Sequence, residues 1–115
     1  MHEMGIALQI IDIATSAIPA GAPAGCVRQV NIKVGKLSAV VPESLRFCFD
    51  IASRETALAG ARLEIEEIPV TARCNGCGKH WSVTEPVFSC PACGCGDIRL
   101  LSGRELDVTS IEVTD

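Results

Sequence analysis

Four of the seven cysteines fall into two pairs, Cys74-x-x-Cys77 and Cys90-x-x-Cys93, with twelve residues between the pairs. Soft thiolates at this double spacing are the ligand set of a tetrahedral, coordinatively closed zinc site, which holds structure and leaves no position for chemistry. Glycine follows the second cysteine of each pair, Gly78 and Gly94. A glycine there tolerates positive φ, so a tight turn can aim backbone N–H groups at the sulfurs, and Pro91 stiffens the second turn. Between the pairs only Trp81, Val83, Val87 and Phe88 are available for burial. So small an apolar set makes folding of the segment dependent on its metal. Four-cysteine sites with such turns also hold redox iron, which is the competing assignment.

The chain opens Met-His-Glu. An isolated terminal histidine is ordinarily an exposed, frayed residue. Yet the Met1 amine, the His2 backbone nitrogen and the His2 imidazole can close two fused chelate rings around one cation, and Glu3 can add a further donor. Amine, deprotonated amide and imidazole impose a nearly planar field, which suits Ni(II) or Cu(II) and disfavours zinc. The remaining candidates read as ordinary residues: Cys26 and Cys48 as core fillers, Cys95 as a spectator thiol and His80 as a solvated loop histidine.

Composition bounds what these sites can serve. At 115 residues and 48% hydrophobic content the chain has one modest core, or one domain carrying a small insert. Its net charge of -4 argues against nucleic acid, which requires clustered Lys and Arg. Around the cysteines, Arg73, Lys79 and Arg99 are balanced by Glu85 and Asp97, so a zinc-ribbon nucleic-acid module is the weaker alternative. No signal peptide or membrane span is expected, and thiols reserved for metal fit a cytoplasmic protein. Motifs for hydrolysis or group transfer are missing, so no enzyme is expected.

The elements that must carry the sites follow from periodicity. Residues 3–18 read as a helix with Met4, Ala7, Leu8, Ile11, Ala14 and Ile18 as its apolar stripe. Residues 27–37 alternate as a strand, with Val30, Ile32 and Val34 on one face. Pro42 starts a second helix whose stripe is Leu45, Cys48, Phe49 and Ala52 and whose stop is Gly60. Two further strands, near 62–70 and 104–113, each change apolar parity midway: Leu63 and Ile65 give way to Ile68 and Val70, and Leu106 and Val108 to Ile111 and Val113. Matched slips predict that these two strands pair antiparallel, Leu63 with Val113 and Val70 with Leu106, and change the layer that covers them. The expected fold is α+β: two helices on a small three-stranded sheet, with an inserted four-cysteine zinc-ribbon-like module. Residues 1–70 and 104–115 would form one domain and residues 71–103 the zinc-binding one.

The stretches MHEMGIA, VGKLSAVVPESLRFCFD, GARLEIEEIPV and CNGCGKHW…CPACG resemble the HypA/HybF family of hydrogenase nickel-incorporation proteins, over essentially the whole chain. The resemblance implies a nickel metallochaperone that is not an enzyme. It implies Ni(II) ligands at the Met1 amine, His2 and Glu3, and zinc ligands at Cys74, Cys77, Cys90 and Cys93. It further implies two partners, a nickel-pathway GTPase and the large subunit of [NiFe]-hydrogenase, with no nucleic-acid or membrane partner, for a chain that is a monomer or weak homodimer. Gly5, where relatives often carry a small hydroxyl residue, and Cys95 are the departures, and neither is a ligand.

Overall fold

The computed structural model describes residues 2–114. Helix α1 spans Glu3–Ser16 and α2 spans Pro42–Ser53. The strands are β1 (Val27–Gly35), β2 (Arg62–Ile68), β3 (Thr71–Cys74), β4 (His80–Ser82), β5 (Ile98–Ser102) and β6 (Leu106–Val113). A single 3-10 turn, Lys36–Ser38, follows β1. They form two three-stranded sheets, ordered β2-β1-β6 and β4-β3-β5. This is the expected α+β class, with a second small sheet inside the cysteine stretch that periodicity did not reveal. Strands of three to five residues are too short to show alternation.

Strand order corrects one expectation. β2 and β6 are not neighbours, because β1 lies between them. Charge explains the choice. β2 carries Glu64, Glu66 and Glu67, and β6 carries Asp107 and Glu112. Pairing those two strands directly would set like charges opposite each other, which destabilises a ladder. β1 contributes Arg28, Lys33, Gln29 and Asn31 instead. Gln29 Nε2 donates to Glu112 at 2.8 Å, Arg62 donates to Gln29 Oε1 at 2.6 Å, and Asn31 Nδ2 donates to Ser110 Oγ at 2.9 Å. The polar side chains of the central strand therefore hydrogen-bond to both edges and separate their carboxylates. Its Val30, Ile32 and Val34 are buried, as the alternation predicts.

The chain divides into two compact units: Met1–Lys33, Ala39–Glu66 and Asp107–Asp115 in one, and Val34–Ser38 and Glu67–Leu106 in the other. In the first, α1 and α2 pack on each other. Leu45, Phe49, Leu58, Val30, Ile32 and Leu63 are nearly or wholly buried. The face that α1 buries is Ile6, Ala7, Ile10, Ile11 and Ala14, whereas Met4 and Leu8 stay 39% and 53% exposed. The expected stripe shares Ala7, Ile11 and Ala14 with the observed one but is rotated. So apolar a helix offers two flanking rows, and packing selected the one with Ile6 and Ile10.

α2 begins at Pro42 as expected but ends at Ser53 rather than running on to Gly60. Thr56 explains the stop: its hydroxyl donates to the Ser53 carbonyl at 2.8 Å and accepts from the Leu58 amide at 3.1 Å. Such local bonds compete with the helical ladder. The resulting turn drops Leu58 into full burial.

In the second unit β3 is central. It pairs antiparallel with β4 (Ala72 opposite Trp81) and with β5 (Cys74 opposite Ile98), with a bulge between Thr71 and Ala72. Residues 34–38 join this unit through two 2.7 Å bonds, from the Gly35 amide to the Glu105 carbonyl and from the Leu37 amide to the Gly103 carbonyl. The parity change in β2 falls between Ile65 in the first unit and Ile68 in the second.

Candidate metal centres

β3 delivers Cys74 to the start of the first cysteine turn, and the second turn begins at Cys90. Cys74 and Cys90 are buried, and Cys77 and Cys93 are exposed. Sγ of Cys74 lies 3.6 Å from that of Cys93, Sγ of Cys77 lies 3.6 Å from that of Cys90, and all four sulfurs fall within 4.8 Å of one another. A disulfide would need about 2.05 Å. Zn–S bonds of about 2.3 Å in a tetrahedron place sulfurs about 3.8 Å apart, so the donor set fits Zn(II) in size, number and softness.

The two turns are built alike. Gly78 donates its amide to the Cys74 carbonyl at 2.9 Å, and Gly94 to the Cys90 carbonyl at 2.8 Å. Both glycines have the anticipated positive φ, 80° and 74°. The Cys74 amide donates to the Lys79 carbonyl, and the Cys90 amide to the Cys95 carbonyl, each at 2.9 Å. Cys95 thus occupies in the second turn the place of Lys79 in the first. Its carbonyl closes the turn, and its sulfur accepts the Asp97 amide at 3.4 Å while lying outside the converging set. Asn75 and Asp97 tie the two halves together, amide to carbonyl at 3.0 Å and side chain to side chain at 3.1 Å. Repetition of the five-residue spacing from Cys74 to Lys79 and from Cys90 to Cys95 was the signal available for this role. His80 lies on β4 opposite Arg73, exposed and outside the sulfur cluster.

Backbone amides set the electrostatics of the sulfurs. The Cys77 amide donates to Cys74 Sγ at 3.4 Å and the Gly76 amide at 3.3 Å, and together they bring the Cys74 thiol down to about 6 against the cost of burial. Cys93 receives the Cys95 amide, but the neighbouring sulfurs of Cys74 and Cys90 outweigh it and push it up to about 12. Burial raises Cys90, yet the amides of Cys93 and Ala92 prevail and its thiol is lowered. For Cys77 the Lys79 amide is overcome by the Cys90 sulfur and by desolvation, so its thiol is raised. Crowded thiols with these spread affinities suppress simultaneous ionisation until a cation neutralises the charge.

At the other end of the chain, His2 is the N-cap of α1 with extended backbone (φ -94°, ψ 91°) and makes no side-chain capping bond. Its carbonyl accepts the Ile6 amide at 3.3 Å, closing the first helical turn. His2 is exposed, and Glu3, the first helical residue, is half-buried. Met1 lies outside the described residues.

The whole-chain comparisons agree with one another. The family profile described as "Hydrogenase/urease nickel incorporation, metallochaperone, hypA" matches residues 1–113. The hydrogenase maturation factor HypA of Desulfosudis oleivorans is 59% identical over 115 residues, covering all of both chains. That of Desulfatibacillum aliphaticivorans is 55% identical and is matched over 88% of its length. Among solved folds, the solution structure of the Ni metallochaperone HypA from Helicobacter pylori superposes with a TM-score of 0.67 at 20% identity, covering 98% of this chain and 97% of that one. In a family of nickel carriers, zinc at the four-cysteine site is a resident structural cofactor, and nickel is cargo. The chain belongs to the HypA family of hydrogenase and urease nickel-incorporation metallochaperones.

Proposed function

We propose that this nickel metallochaperone of hydrogenase maturation takes up Ni(II) at its amino terminus, through the Met1 amine, the backbone nitrogen and imidazole of His2, and a donor from Glu3. The observation that carries the reading is the capping geometry of α1. The imidazole of His2 makes no capping bond. The amides of His2 and Glu3 precede the first intrahelical donor, so they have no helical carbonyl to leave. Deprotonating them for nickel therefore costs the helix no hydrogen bond.

Cys74, Cys77, Cys90 and Cys93 are the zinc ligands in this reading. Residues 1–70 and 104–115 form the nickel-binding part and residues 71–103 the zinc-binding part. The chain performs no catalysis of its own. It works in the cytoplasm, exchanging nickel with a GTPase of the same maturation pathway and passing it to the large subunit of [NiFe]-hydrogenase. Family membership and the hydrogenase maturation factors among the relatives support this assignment.

Nickel titration of untagged, zinc-loaded protein by calorimetry is the test. Extending the chain by one residue upstream converts the Met1 amine to an amide, and His2→Ala removes the imidazole. Both changes abolish tight nickel binding and leave zinc content unchanged. An extended chain that binds Ni(II) as tightly as the native one would sink the assignment of Met1 and redirect the search to His80 and Cys95.

A further inference from the structure

The second sheet, β4-β3-β5, has one covered face and one open face. Ala72 and Cys74 of β3 are fully buried, so Arg73 between them points to the open side. Arg73 lies directly opposite His80 of β4 and directly opposite Arg99 of β5. All three are exposed. A row His80–Arg73–Arg99 therefore crosses the whole sheet, with two guanidinium groups as cross-strand neighbours. Like charges set directly opposite one another destabilise a ladder, and an outside anion relieves them.

The polar groups next to this row have partners of their own. Ser82, Thr71 and Ser102 form the next row along the strands. Ser102 donates its hydroxyl to the Pro69 carbonyl at 2.8 Å and so accepts from Thr71 at 2.6 Å. Beyond the other side of the row, the Asp97 carboxylate accepts Asn75 Nδ2 at 3.1 Å. Leu101, which the bulge leaves without a cross-strand partner, is 48% exposed two residues from Arg99. The compact unit that holds this sheet carries five Lys and Arg against four Asp and Glu, on a chain whose net charge is -4.

We infer that the open face of β4-β3-β5 is a docking surface for an acidic helical segment of a partner protein. Spacing favours a helix: adjacent strands lie about 4.8 Å apart, and side chains one helical turn apart are separated by about 5–6 Å. A helix laid across the strands sets three successive carboxylates over His80, Arg73 and Arg99, with bidentate pairing at the two guanidinium groups and an apolar residue against Leu101. A nucleic-acid backbone offers nothing apolar to Leu101, and the acidic remainder of the chain repels it. None of these residues is a proposed nickel ligand, so the inference stands or falls independently of that assignment.

Amide NMR titration of the untagged, zinc-loaded full chain tests this. The probe is a helical peptide with Glu residues one turn apart on one face and a Leu beside them. Its controls are the same peptide with Gln for every Glu, and a DNA duplex of equal charge. The Glu peptide, added to about 1 mM, shifts the amides of residues 71–73, 80–82 and 98–102. Raising salt from about 50 mM to about 300 mM weakens binding several-fold. Arg73→Gln and Arg99→Gln each weaken it about tenfold, the loss of one charge-assisted pair. Both variants keep their zinc and unfold no earlier than the native chain, because each removes the repulsion between Arg73 and Arg99; lost binding is thereby separated from lost folding. No shift with the Glu peptide overturns the inference, as do shifts centred on other residues, equal binding of the Gln peptide, or unchanged affinity in both variants. Tighter binding of the DNA than of the Glu peptide overturns it in favour of a nucleic-acid surface.

Discussion

Replacing Gly35 with alanine should be among the most damaging single-methyl changes available to this chain. A Cβ built there overlaps the carbonyl carbon and oxygen of Gly103 and comes within 2.5 Å of the Arg104 nitrogen. All three are backbone atoms, so no side chain can rotate away. Gly103 cannot retreat easily, because its φ is 117° and its own Cβ position is already 2.8 Å from the Val70 side chain. The end of β1 must therefore part from residues 103–105. That breaks the two 2.7 Å bonds from Gly35 to Glu105 and from Leu37 to Gly103. Each bond is worth about 1 kcal/mol, and the steric displacement costs about 1–3 kcal/mol more. The expected loss is about 3–5 kcal/mol, a large share of a typical stability of about 5–15 kcal/mol. Gly5→Ala is the matched control, since nothing lies within 4 Å of its Cβ position and it sits in α1. There alanine should stabilise by up to about 1 kcal/mol. Denaturant unfolding of both zinc-loaded variants measures the contrast. A Gly35→Ala protein within about 0.5 kcal/mol of native would refute the close backbone approach, given the usual small effect of an unobstructed substitution.

Three further outcomes follow. Cys74→Ala combined with Cys90→Ala should abolish stoichiometric zinc and unfold the cysteine segment while sparing most of the helical circular dichroism, because α1 and α2 belong to the other compact unit. Retained zinc in that variant contradicts the ligand set. Zinc affinity should rise with pH: Cys77 is raised and Cys93 stands at about 12, so both are protonated at neutrality while Cys74, at about 6, is already a thiolate. Binding must then expel at least about two protons near pH 7, weakening as pH falls and more sharply once Cys74 protonates too; buffer-dependent calorimetry counts them, and fewer than about one would refute the assignment. Thr56→Val should destabilise the turn after α2 by about 1–2 kcal/mol, through loss of its bonds to Ser53 and Leu58. Thermal unfolding unchanged from native would show that Thr56 does not hold the helix stop.

What was legible in the sequence is what short-range chemistry controls. The two cysteine turns are closed by bonds reaching no more than five residues, so spacing and the glycines at 78 and 94 were enough to predict four converging sulfurs. Pro42 marked the start of α2, and the alternation of β1 marked its buried face, for the same local reason. Which strand lies in the middle of the first sheet was settled by contacts between segments distant in sequence. Glu112 and Arg62 meet Gln29 across 83 and 33 residues, respectively. The matched parity slips of β2 and β6 concealed this, since the same pattern arises whether two strands pair with each other or flank a third. The rotation of α1 was likewise a tertiary choice between two apolar rows of nearly equal merit, and the end of α2 was set by a threonine hydroxyl where periodicity allowed another turn. Gly35 and Gly103 carry no signal in the sequence beyond being glycines. Their necessity appears only where two backbones, 68 residues apart, approach too closely for a single methyl group.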